Sequence, residues 1–74
     1  MIHAIYQRSR PKHKWHLVSL SMSAEAANME LETFKKQAVE EGNDQAEVAM
    51  QIFESAFWIP EYVDDIKDQK PLFN

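Results

Sequence analysis

Apolar and polar positions change period along the chain, and the changes mark out its elements. Residues 2–8 (Ile-His-Ala-Ile-Tyr-Gln-Arg) and 14–22 (Lys-Trp-His-Leu-Val-Ser-Leu-Ser-Met) are short and carry β-branched and aromatic side chains, the composition of strands. Between them Pro11 fixes its own φ and biases Arg10 away from helix. The chain turns there, and the two segments predict a β-hairpin. In the second segment His16, Val18, Leu20 and Met22 alternate with Trp15, Leu17, Ser19 and Ser21. A period of two sends these sets to opposite faces. One face is then apolar along its length, and the other is apolar at its Trp15 end. Ile5 against Ile2, Ala4 and Tyr6 repeats the pattern in the first segment. The ribbon is therefore expected to need cover on both surfaces.

After Met22 the period changes. Ser23 suits a helix N-cap, with Glu25 in the first turn against the dipole. Ala24, Ala27, Leu31, Phe34 and Ala38 then fall on one stripe at spacings of three and four, as an amphipathic helix requires. Glu25, Glu32, Lys36 and Glu40 lie outside the stripe, and Glu32 and Lys36 have the spacing of a favourable i,i+4 pair. Gly42 is a natural stop. Residues 45–55 fit two readings. As a strand, Ala46, Val48, Met50 and Ile52 alternate with Gln45, Glu47, Ala49 and Gln51. As a helix, Ala46, Ala49, Met50, Phe53, Ala56 and Phe57 share a face, and Asp44 with Glu47 has the spacing of a capping box. Propensity favours the helix. Architecture favours the strand, because a lone two-stranded hairpin is marginal and a third strand gives the helix a sheet to cover. Pro60 suits the first position of a short helix over 61–67 whose apolar members are Tyr62, Val63 and Ile66. Phe57, Trp58 and Ile59 before it, and Leu72 and Phe73 after it, give this segment enough apolar surface to fold back over the hairpin. The expected fold class is α+β: an N-terminal hairpin, one amphipathic helix, a third strand (β-β-α-β) and a short C-terminal helix, in one small domain spanning 1–74.

Composition narrows the chemistry. The chain has 74 residues, of which 45% are hydrophobic and 27% charged, the balance of an ordinary globular domain rather than a disordered one. Without cysteine there are no disulfides, thiolate metal sites or thiol nucleophiles. A domain this small without staples is expected to hold only about 3–5 kcal/mol. No apolar run approaches the roughly 20 residues needed to span a bilayer. At the N-terminus the basic residues follow the apolar ones, the wrong order for a secretory signal, so the expected compartment is the cytoplasm.

Charge is segregated. Residues 1–24 carry Arg8, Arg10, Lys12 and Lys14 and no acid, whereas residues 25–74 hold all twelve acids against four lysines, for a net charge of −4. Overall acidity argues against a general DNA-coating protein, but the split allows one local basic patch on an acidic body. Arg8, Arg10, Lys12 and Lys14 with Trp15 are the candidate binding residues, having cations beside an aromatic. They suit an acidic protein surface, a second copy, or phosphates with a stacked base. The plainer reading is that these charges keep a hairpin tip soluble and block edge pairing.

Other constellations point less far. His13 and His16 share the HxxH spacing, which closes on a metal from a helix but not from a strand, so no metal site is expected. The acid pairs Glu40 with Glu41, Asp64 with Asp65 and Asp68, and Glu54 with Glu61 read as solvated helix faces and ends rather than as general acid–base pairs in a cleft. Ser9, Ser19, Ser21, Ser23 and Ser55 have no nucleophile-elbow setting. The sequence is thus read as a small non-enzymatic interaction module without a cofactor, a membrane anchor or an evident small-molecule substrate. It would bind a protein partner or itself as an adaptor, inhibitor or regulatory subunit. The alternative is single-stranded nucleic acid or RNA binding through the basic hairpin 8–15.

Overall fold

The computed structural model describes residues 1–43, 45–54 and 58–66. In chain order its elements are β1 (Ile2–Arg8), β2 (Trp15–Ser21), α1 (Ala24–Glu40), β3 (Glu47–Phe53) and β4 (Tyr62–Val63). The four strands form one antiparallel sheet in the order β3-β1-β2-β4, so the fold class is mixed α+β. Among the described residues no helix is long and apolar enough to cross a membrane.

β1 is the spine. It pairs with β2 on one side and with β3 on the other. Its side chains at positions 2, 4, 5 and 6 are all buried, and those of Ala4, Ile5 and Tyr6 have no exposed surface. Burial on both faces explains the near-continuous apolar run. Toward α1, Ile5 packs with Val48, Met50, Ala27 and Leu31, and Val18 and Phe34 close the edges of that cluster. On the opposite face, Ala4, Tyr6, Trp15 and Ala49 form a second cluster. Leu17, Phe53, Ile59, Val63 and Ile66 pack against it. The helix therefore covers one face, and the segment around Ile59 to Ile66 covers the other.

The alternation anticipated for β2 is broken by a bulge. Ile5 pairs with Ser19 but Tyr6 pairs with Leu17, which leaves Val18 without a partner on β1. An extra residue inverts the facing of everything beyond it. Val18 and Ser19 both reach the helix side, where the Ser19 hydroxyl donates to Glu30 Oε2 at 2.6 Å. Leu20, opposite Ala4, moves to the other face instead of continuing the line from His16 and Val18.

α1 has both of its caps. Ser23 is extended (φ −114°, ψ 130°), and its hydroxyl accepts from the Ala26 N–H at 3.3 Å. At the other end Gly42 has φ +76°. Its N–H donates to the Val39 carbonyl, and the Asn43 N–H donates to the Ala38 carbonyl, each at 3.0 Å. This pair of bonds is the Schellman arrangement. Along the stripe Ala27, Leu31 and Ala38 are buried and Phe34 is half-buried, but Ala24 is exposed. Glu32 pairs with Lys35 at 3.5 Å rather than with Lys36.

Two elements differ from the helical alternatives. Glu47–Phe53 is a strand that pairs with β1 at seven consecutive positions. Ladder formation and burial of Val48, Ala49 and Met50 outweigh the helical propensity of its Ala, Glu, Gln and Met residues. The short C-terminal helix anticipated over 61–67 is not what the described residues form, since Tyr62 and Val63 are β4. The Leu17 N–H donates to the Glu61 carbonyl at 2.8 Å, and the Tyr6 hydroxyl donates to the Pro60 carbonyl at 2.7 Å. Those two carbonyls are thus committed to β2 and β1 instead of to a helical turn. Asp44, Phe57, Lys67, Leu72 and Phe73 lie outside the described residues.

Candidate functional site

Residues 9–14 connect β1 to β2. The His13 N–H donates to the Arg10 carbonyl at 3.0 Å, which closes a β-turn with Pro11 at its second position, where a fixed φ fits. The Ser9 hydroxyl meets His13 Nδ1 at 3.0 Å and braces the same loop. Arg10, Pro11, Lys12, His13 and Lys14 are all exposed. A loop pinned by this turn thus carries three cations, Arg10, Lys12 and Lys14, into solvent.

The five residues read as one basic and aromatic cluster divide into two groups. Arg8 and Trp15 belong to the base of the hairpin. The Arg8 guanidinium lies 4.3 Å from the centre of the Trp15 ring. Its Nε and Nη2 donate to Glu47 Oε1 at 2.9 and 2.7 Å. Trp15 is only 6% exposed. Arg8 therefore ties β1, β2 and β3 together over the second cluster, and its charge is already matched. Arg10 and Lys12 have no ion-pair partner among the described residues. Lys14 reaches Asp64 at 3.7 Å, but both side chains stand largely in water, where such a pair is worth little. The accessible cations of this cluster are thus Arg10, Lys12 and Lys14. On the helix side of the loop a shallow hollow of about 270 Å³ opens between Gln7, Ser9, His13, Lys14 and His16.

The aromatic groups are committed elsewhere. Tyr6 is fully buried, and its hydroxyl is held by Pro60. Burial pushes its phenol above the ordinary value of 10.0. His16 stacks on Tyr62 with ring centres 5.0 Å apart and planes inclined by 19°. His13 and His16 thus have separate partners, and the described residues contain no group of three or more metal-ligating side chains. Glu40, Glu41, Glu54, Glu61, Asp64 and Asp65 are exposed, and Asp68 lies outside the described residues. The roles of Glu47 and Pro60 were not visible in the sequence. The parity of β1 held half of the signal, because Arg8 shares its face with Ala4 and Tyr6. The other half, the register that sets Glu47 opposite Arg8, exists only once the sheet is built.

No family model, curated protein or solved structure matches the chain.

Proposed function

We propose that the chain is a small non-enzymatic interaction module whose working surface is the hairpin tip, and that its partner presents an acidic protein surface. The observation that carries this reading is the division of the basic cluster. Arg10, Lys12 and Lys14 stand in solvent on a loop pinned by a hydrogen-bonded turn, while Arg8 and Trp15 below them rigidify the base. A preorganised cationic projection on an otherwise acidic chain favours fast, charge-steered docking. The nucleic-acid alternative draws less support from the geometry. It needs an aromatic platform for a base, and Trp15 is buried beneath Arg8.

The test is a titration of the isotope-labelled protein with a glutamate-rich peptide, followed by amide shifts at low and physiological salt. A single-stranded RNA pool serves as the second probe. Peptide-induced shifts are expected at residues 9–14. They should weaken as the Debye length contracts to about 8 Å and vanish in the Arg10→Glu, Lys12→Glu double variant. Absence of peptide shifts at low salt refutes the proposal. RNA binding without peptide binding replaces it with the alternative.

A further inference from the structure

The two ends of the sheet are unequal. β4 offers only two residues, whereas β3 is seven residues long. Among the described residues β3 pairs on one side only, with β1. An exposed strand edge presents unpaired N–H and C=O groups, and natural edges are blunted by Pro, Lys, bulges or brevity. β3 (Glu-Val-Ala-Met-Gln-Ile-Phe) has none of these; its one charged side chain, Glu47, stands at its first position and is held by Arg8, and its pairing with β1 runs through seven positions without a register shift.

The side chains along this edge form a knob and a hole. On the helix side Val48 and Met50 are buried, but Ile52, next on that face, is 54% exposed. At the opposite end of β3, where α1 finishes, a hollow of about 390 Å³ is lined by Ala38, Val39, Ala46 and Val48 together with polar neighbours. Val39, at its rim, is 75% exposed.

We infer that β3 pairs antiparallel with β3 of a second copy, about a two-fold axis through Met50. Directly opposed residues in such a ladder share a face and approach to about 4.5–5.5 Å between Cβ atoms. Ile52 of each copy then stands opposite Val48 of the other and enters the hollow beneath Val39. Ala49 meets Gln51. Glu47 meets Phe53, so no like charges are opposed, and the Glu47 carboxylate is already held by Arg8. A slip in register shortens the ladder and carries Ile52 past Val48. The contact is isologous and closes on itself. Among the described residues it consumes the long edge and leaves a continuous eight-stranded sheet ended by the two-residue β4 strands. This surface shares no residue with the hairpin tip at 9–14 and does not depend on the tip's partner.

Sedimentation equilibrium over a concentration series tests the inference. The wild-type chain is expected to reach the mass of a dimer. Ile52→Lys and Val39→Glu are each expected to weaken association by about tenfold or more. Both side chains are exposed in a single copy, so the circular dichroism of each variant should remain that of the wild type. If Ile52→Lys does not fold, Val39→Glu carries the test. Lys12→Glu is expected to leave the mass unchanged, which separates this contact from one through the tip. A wild-type monomer at the highest concentration, or a dimer indifferent to both edge variants, overturns the inference.

Discussion

Replacing Arg8 with methionine separates support of the fold from binding at the tip. Methionine keeps an apolar stem over Trp15 but removes the guanidinium. Two contacts are lost. The cation–π contact lies at 4.3 Å, between a Trp that is 6% exposed and an Arg side chain that is 17% exposed. A desolvated contact of this kind is worth about 1–2 kcal/mol. The Glu47 side chain is 42% exposed, so solvent screening limits the ion pair to about 0.5–1 kcal/mol. Part of the second loss is recovered, because Glu47 rehydrates once Arg8 is gone. The net cost expected for Arg8→Met is about 2 kcal/mol, roughly half of what a staple-free domain of this size holds. A loss of that size lowers Tm by roughly 8–16 °C. Urea unfolding of the wild type, Arg8→Met, Glu47→Gln and the double variant supplies the cycle. A coupling of about 0.5–1 kcal/mol between the two positions is expected. Arg8→Met should also bind the acidic peptide as the wild type does, under conditions where it is folded. Stability within about 0.3 kcal/mol of wild type, or additive single changes, would refute the assignment of Arg8 to the fold.

Two further outcomes follow from the fold. The folded chain favours the neutral Tyr6 phenol, so its stabilising share is complete below the ordinary value of 10.0 and is lost as pH rises through the raised folded value. Tyr6→Phe should cost about 0.5–1.5 kcal/mol near neutrality through the lost bond to Pro60, yet show a shallower alkaline decline than wild type in urea midpoints measured across that range. An equal slope in both proteins would contradict this. Gly42→Ala should cost about 1–2 kcal/mol from the left-handed backbone alone, since nothing lies within 4 Å of an added Cβ. Gly42→Asn should recover part of it, and a neutral alanine in the same urea assay would count against the cap.

Legibility in the sequence followed the range of the interactions. α1 was plain, because its stripe, its Ser23 cap and its Gly42 stop are local. The pairing of β1 with β2 was plain for the same reason. β3 was ambiguous, since Ala, Glu, Gln and Met in alternation satisfy either period and only the partner strand decides. The bulge at Val18 could not be seen at all. An extra residue is defined only against the opposite strand, and its effect, Leu20 on one face and Ser19 on the other, reverses the simple alternation. β4 was misread because Pro60 is as compatible with a turn into an edge strand as with a helix start, and the decisive groups, the Tyr6 hydroxyl and the Leu17 N–H, lie more than forty residues upstream. At the tip, charge density was legible and its division was not. Arg8 and Arg10 look alike in sequence, and the difference between them is Glu47 and the Trp15 ring.

The account rests on cover for both faces of the hairpin, with the second face closed by the stretch that contains Ile59, Pro60 and Val63. The most direct measurement is a set of nuclear Overhauser contacts from the ring protons of Tyr6 and Trp15. Cross-peaks to Val63 and Ile59, with a slowly exchanging Tyr6 hydroxyl, are the predicted result. Rings that show no contact with that stretch, with a Tyr6 hydroxyl in rapid exchange with water, would contradict it.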